Sequence, residues 1–270
     1  MHIPVQSLDS SAFGDGAVLG CDFVGIVEKL GDKVSSLNVG DRMRGEIPEL
    51  GAYAQYTVAD EKICFKVPEQ VDLNDAATVP LASATAWLAL YSEGRLNIPR
   101  KQKDSSPVLI WGGSSSVGAY AIQLARINSI PIVTVCSPRH FDLCKSLGAT
   151  HVFDYHHPDI VEKIKSAAPS IAHVLDCIGS ESSSHTASQT VTEKGGVLCA
   201  VRPGKQFTDE IASHVKATDV LDWTWPASVA DHNLGCELFK QIPGGLSAVP
   251  EGFQMHRDGK VSGFKLVYEL

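Results

Sequence analysis

From Val108 onward the chain alternates short, unbroken apolar runs with segments of helical period. Val108-Leu109-Ile110-Trp111, Ile132-Val133-Thr134-Val135-Cys136, His151-Val152-Phe153-Asp154, His173-Val174-Leu175-Asp176-Cys177 and Gly196-Val197-Leu198-Cys199-Ala200-Val201 read as five strands. Between them, Val117 to Asn128, Pro138 to Leu147 and residues 159–165 read as helices, the second closed by Gly148. Strands that are apolar at successive positions are buried on both faces, so this order predicts a parallel sheet covered by helices on each side.

Before Val108 the pattern differs. Phe23 to Glu28 reads as a strand, Gly31-Asp32 and Gly40-Asp41-Arg42 as turns, and Tyr53 to Val58 alternates like a half-buried strand. A helix is expected from Ala82 to near Gly94, carrying Trp87, Leu88, Leu90 and Tyr91, and the polar run Arg100 to Ser106 then reads as a surface connection. Residues 203–250 show weak periodicity. There is no internal repeat and no low-complexity tract.

Composition narrows the class. At 270 residues and 44% hydrophobic, the chain is long enough for about two domains with real cores. Its 23 Lys+Arg against 31 Asp+Glu, a balance of −8, argues against a nucleic-acid binder. No apolar stretch approaches the ~20 residues of a membrane span, and MHIPVQSLDS lacks the features of a signal peptide. The seven cysteines, Cys21, Cys64, Cys136, Cys144, Cys177, Cys199 and Cys236, form no C-x-x-C and fall mostly in apolar stretches. They read as reduced thiols of a cytoplasmic protein.

The candidate chemistry sits between the first buried strand and its helix, in Trp111-Gly112-Gly113-Ser114-Ser115-Ser116-Val117-Gly118. A dinucleotide turn needs small residues there, because the chain bends sharply and its backbone must approach a pyrophosphate at a helix N-terminus. G-x-G-x-x-G falls on Gly113, Ser115 and Gly118, with serine in the middle position. An ordinary strand–helix turn is the plainer reading, but the strand before, the helix after and the second strand at the right distance favour a cofactor. At the end of that second strand, where an NAD enzyme usually carries an acid, the chain has Ser137-Pro138-Arg139-His140, and no carboxylate precedes Asp142. A guanidinium and a hydroxyl suit a 2′-phosphate, so NADPH is expected.

Gly20-Cys21-Asp22-Phe23-Val24-Gly25-Ile26-Val27, Gly40-Asp41-Arg42, Gly51-Ala52-Tyr53-Ala54-Gln55-Tyr56 and Val79-Pro80-Leu81 resemble the medium-chain dehydrogenase/reductase superfamily. Gly112 to Gly118, Cys136 to Leu143 and Gly259-Lys260-Val261-Ser262-Gly263 are similar to its fungal zinc-independent branch. That branch holds quinone-oxidoreductase-like proteins and the trans-acting enoyl reductases of polyketide pathways, of the lovastatin type. The resemblance spans nearly the whole chain. It implies an α/β fold, a Rossmann-type doubly wound parallel sheet at 85–245 with a partial GroES-like β-barrel from 1–84 and 246–270.

The resemblance also implies site residues. NADPH contacts fall on Gly113, Ser114, Ser115, Ser116, Val117, Gly118, Ser137, Pro138, Arg139, His140, Tyr155, Val261 and Ser262. Tyr155 also reads as a plain amphipathic rim residue. The stretch Val79, Pro80, Leu81, Ala82, Ser83, Ala84, Thr85 and Ala86 matches the part lining the substrate pocket, where Thr85 either meets the nicotinamide or bonds its own backbone. Zinc relatives carry Gly-His-Glu where this chain has Gly20-Cys21-Asp22, and a four-cysteine lobe that is missing here, while His156-His157 read as a solvated turn. The protein is therefore expected to be metal-free. The implied reaction is hydride transfer from NADPH to an activated alkene or a quinone, with no side chain identified as the acid. The substrate is expected to be a small molecule, including a carrier-bound polyketide, and the chain a monomer or homodimer. Relatives have further strands before Gly20 and an extra helix between Lys240 and Gln241. The barrel half is thus expected to be shortened, which leaves a non-catalytic NADPH-binding remnant as the alternative.

Overall fold

The computed structural model describes residues 18–46, 51–100, 106–202, 208–220, 239–241, 243, 245–262 and 265–268. Expectations for residues 1–15, for most of 203–238 and for Gly263 lie outside the described residues. Those described up to Ala82 and from Phe239 onward fall in one compact unit, and Ser83 to Val220 in a second.

The second unit is built on the predicted sheet. Six parallel strands, β4 (Val108–Trp111), β5 (Ile132–Cys136), β6 (His151–Asp154), β7 (His173–Asp176), β8 (Gly196–Ala200) and β9 (Val215–Asp219), lie in the order β6-β5-β4-β7-β8-β9. Counted from β4 that is 3-2-1-4-5-6, the doubly wound order that reverses direction between its first and fourth strands. Leu109, Val133, Val174 and Leu198 pack on one face with Ile160 and Ile164 of α5 (Ile160–Ala167). The alternate positions Val108, Ile110 and Ile132 are buried as well. Burial on both faces explains why these strands carry no polar alternation. The helices α3 (Ser116–Ile127), α4 (Phe141–Leu147) and α6 (Glu181–Ser188) complete the crossovers. Tyr91 ties the preceding helix α2 (Pro80–Tyr91) to α3, its hydroxyl donating to the Leu124 carbonyl at 2.8 Å and accepting from Asn128 Nδ2 at 3.1 Å.

In the first unit, β1 (Asp22–Ile26), β2 (Arg42–Glu46) and β3 (Cys64–Lys66) form an antiparallel sheet in that order. Arg42 donates to the carbonyls of Glu69 and Val71 at 3.0 and 2.7 Å, holding β2 to the chain that leads into α1 (Leu73–Ala77). A parallel pair, β10 (Phe239–Gln241) and β11 (Lys265–Val267), and α7 (Val249–Arg257) come from the C-terminal part.

Several boundaries differ from the sequence pattern. Residues 53–56 form bends rather than a strand: among the described residues, the backbone amides that reach back here are Ala52 N and Tyr53 N, to the carbonyls of Gly20 and Leu19. The helix expected from Ala82 starts at Pro80, where proline loses no hydrogen bond at the first helical position. The helix expected from Pro138 begins as a 3-10 turn, Pro138–His140, and turns α-helical at Phe141.

Candidate cofactor site

The site begins where β4 ends. Gly112 takes φ +86°, a left-handed conformation that favours glycine, and the amides of Gly112 and Gly113 both donate to the Val135 carbonyl. Ser115 then caps α3: its Oγ donates to the Gly112 carbonyl at 2.7 Å and accepts from the Gly118 amide at 3.1 Å. The remaining first-turn amides, those of Ser116 and Val117, belong to a helix N-terminus, the kind of place where anions bind. A β-carbon on Gly113 would strike Thr134 Oγ1, and one on Gly118 would strike the backbone of Gly112 and Gly113. The glycines thus bring the helix start hard against the strand turn. Gly112 was not among the expected contacts, although the doubled glycine marked it.

Ser137 follows β5 directly, and Pro138, Arg139 and His140 form the 3-10 turn on which α4 is mounted. Arg139 Nε donates to His140 Nε2 at 3.2 Å. Burial, and then the Arg139 charge, hold the His140 imidazole below its ordinary pKa, which suits an accepting ring nitrogen. Tyr155 follows β6, 43% exposed, its ring 3.9 Å from that of His156. Since β4, β5 and β6 are adjacent and parallel, the Gly113–Gly118 turn, the Ser137–His140 turn and Tyr155 share one sheet edge.

An acid stands beside the end of β5: Asp154, in register with Cys136 on the neighbouring strand. Its Oδ1 accepts from the His156 amide at 3.0 Å and from His156 Nδ1 at 2.8 Å. The backbone bond is the larger cause holding this carboxyl below its usual range. On the other side of β4, the loop after β7 closes over the cradle: Ile178, 46% exposed, lies against Gly112, where an added β-carbon would sit 2.8 Å from its Cδ1. Burial pushes the Cys177 thiol well above its usual pKa, and the Asp176 charge adds to the effect. This loop was missed as part of the site, although it stands where the strand order reverses.

The expected substrate stretch is the entry to α2. Val79 precedes the helix, Pro80 to Ala86 form its first two turns, and all of these are buried except half-buried Leu81. Thr85 lies mid-helix rather than at its start. Val261 and Ser262 follow α7 in the first unit.

Residues 5–69 match the family described as the alcohol dehydrogenase GroES-like domain, and 116–218 the family described as zinc-binding dehydrogenase. The trans-enoyl reductase pvhC of Talaromyces variabilis is 33% identical over 99% of this chain and 88% of its own. The enoyl reductase component lovC of the lovastatin nonaketide synthase of Aspergillus terreus is 30% identical over 94% of this chain and 82% of its own. Among solved structures, the quinone oxidoreductase from Coxiella burnetii matches with a TM-score of 0.76 at 24% identity, over 93% of this chain and 80% of that one. The chain belongs to the medium-chain dehydrogenase/reductase superfamily, in its enoyl reductase branch.

The superfamily also holds zinc enzymes, and one of the two matched families is described as zinc-binding. Among the described residues no group of three or more His, Cys, Asp or Glu side chains is placed to hold a metal. Asp22, beside Cys21 at the start of β1, accepts through Oδ1 from the Leu81 amide in the first turn of α2 at 2.6 Å. Tyr53 packs against Gly20, with its hydroxyl pKa raised first by burial and then by the Asp22 and Cys21 charges. The described residues include no helix long and apolar enough to cross a membrane.

Proposed function

We propose that this oxidoreductase uses NADPH to reduce an activated carbon–carbon double bond in a small or carrier-bound acyl substrate, with quinones as a second substrate class. The cofactor preference rests on the end of β5. Ser137 and Arg139 offer a hydroxyl and a guanidinium there, while Asp154, at the end of the neighbouring strand, already accepts two bonds from His156. Support for the substrate class comes from the relatives pvhC and lovC, both named as enoyl reductases, the second as a component of the lovastatin nonaketide synthase. A synthase partner is proposed on the same ground.

A bound nicotinamide would supply the hydride chemistry for an activated alkene. The chain's own contribution is positioning. Ser116 and Val117 would hold pyrophosphate through their amides, and Ser137, Arg139 and His140 the 2′-phosphate, with Tyr155 at the rim beside them. Val261 and Ser262 are proposed as further cofactor contacts. The stretch from Val79 to Ala86 is proposed to bound the substrate, and the proposed domains are a GroES-like domain of residues 1–84 and 246–270 and a Rossmann domain at 85–245. Reduction proceeds without a metal in this reading.

The test is to titrate NADPH and NADH by nucleotide fluorescence, then to follow NADPH oxidation with an enoyl thioester and with a quinone. Charge-assisted bonds contribute ~1.5–3 kcal/mol each, so Arg139→Ala with Ser137→Ala should cut NADPH affinity tenfold or more and leave NADH nearly unchanged. Equal loss for both nucleotides would move the 2′-phosphate elsewhere. NADPH binding without turnover of either substrate would make the chain a cofactor-binding remnant instead.

A further inference from the structure

Asp176 is the last residue of β7, fully buried, at the point where the sheet order reverses. A buried carboxylate is costly unless its lone pairs are met, and here four donors meet them. Oδ1 accepts from the amides of Ile178 at 2.9 Å and Gly179 at 3.1 Å. Oδ2 accepts from the hydroxyls of Ser183 at 2.6 Å and Ser184 at 2.7 Å, both in the first turn of α6. Every donor comes from the eight residues that follow, so one side chain fixes the whole route from strand to helix. The N-terminal end of α6, with its partial positive charge, faces the carboxylate.

The route so fixed is unusual in what it exposes. Gly179 is held at φ +60°, and its neighbour Ile178 is turned outward, half exposed, onto Gly112 of the phosphate turn. An apolar side chain turned out to solvent at a cofactor edge needs a reason. We infer that Asp176 is a positioning residue for the cofactor: it sets the loop so that Ile178 stands over Gly112 and shapes the wall against which the shared pyrophosphate and ribose portion of the nucleotide lies. The inference rests on the proposed cofactor site. It separates two functions along one sheet edge. The turn after β5 distinguishes NADPH from NADH, whereas the loop after β7 serves both alike.

The experiment compares wild type, Asp176→Asn, Ile178→Ala and the double variant, each well below its melting temperature and checked as folded by near-ultraviolet circular dichroism. The asparagine keeps the size and the oxygen facing the two amides but presents an amide group to the two serine hydroxyls. Two hydrogen bonds to a charged group are altered, so dissociation constants for NADPH and NADH should both rise roughly fivefold to tenfold. KM for the cofactor should rise with them while kcat at saturation stays within about twofold, since bound cofactor reacts normally. Ile178→Ala, an exposed position, should produce a similar rise with little change in melting temperature. If Asp176 acts through Ile178, the double variant should be scarcely weaker than the worse single one, because coupled sites are not additive.

A lowered melting temperature for Asp176→Asn with both dissociation constants unchanged overturns the inference, leaving Asp176 a purely structural anchor. So does an Ile178→Ala variant with native affinity, a loss confined to NADPH, or a double variant in which the two losses simply multiply. Failure of the wild type to bind either nucleotide would instead overturn the cofactor site itself.

Discussion

Gly118 has no room for a side chain, and that single fact constrains the cradle. A β-carbon there would collide with the Gly112 carbonyl and the Gly113 Cα, backbone atoms that a rotamer change cannot move away. Gly118→Ala must therefore push α3 off the strand turn, at a cost of about 1–3 kcal/mol by the usual scale of overpacking. The same shift moves the Ser116 and Val117 amides, which are proposed to hold the phosphate. Chemical denaturation should show the lower stability, and nucleotide titration should show weakened NADPH and NADH alike. Retained affinity with lowered stability would separate α3's position from phosphate binding. Ser115 illustrates the opposite case, where a departure from the glycine pattern is useful. Serine at the middle position of the fingerprint supplies the α3 cap, accepting the Gly118 amide that a glycine would have left to the ligand or to water.

At the scale of elements, α6 depends on its polar start. Its sequence, ESSSHTAS, has no apolar stripe, and its N-terminus is held by a capping box: Ser180 Oγ accepts from the Ser183 amide and Ser183 Oγ from the Ser180 amide. Ser180→Ala should lower the stability of the chain by about 1 kcal/mol, and hydrogen exchange should quicken first in residues 181–188. Unchanged exchange there would mean that Asp176 alone sustains the helix start. This polarity is also why α6 could not be read from periodicity. Strands β4, β5 and β8 were legible because burial on both faces leaves an unbroken apolar run. β9, VKATD, was not, because it stands at the sheet edge with Lys216 and Ala217 exposed. Tyr53 to Val58 misled in the opposite way: alternation was present, but Tyr56 and Val58 are exposed and no neighbouring strand pairs with them among the described residues. In the candidate site, the turn after β4 was marked by its small residues and the turn after β5 by Ser137 and Arg139 standing where an acid is usual. The loop after β7 carried no such mark, because Asp176 looks in sequence like any polar strand end.

For the whole molecule, the titrating groups set how stability responds to acid. His173 begins β7, paired with Val108 and Val197 on the flanking strands, and burial lowers its pKa. His140 is lowered too, by burial and by Arg139. A lowered histidine contributes stability that is fully present above its unfolded pKa of ~6.5 and is lost as pH falls toward and through the folded value. The lowered carboxyls of Asp41, Glu61, Asp154 and Asp258 act in the same direction but in a lower window, since their stabilisation is present above roughly pH 4 and lost below it. Against both runs the net charge of −8 at neutral pH, whose self-repulsion weakens as protons bind. The histidine effect is local and short-ranged, whereas diffuse repulsion is screened within about 8 Å at physiological salt. At that ionic strength the histidines should prevail, and the melting temperature should fall between pH 7 and pH 5.5. His173→Asn removes the titrating ring without adding bulk, so its melting temperature should fall less over the same interval, with wild type and variant converging toward pH 5.5. Parallel curves for the two proteins would show that His173 does not carry the acid sensitivity. A wild-type melting temperature that rises on acidification would show that charge repulsion, and not histidine burial, governs this chain near neutrality.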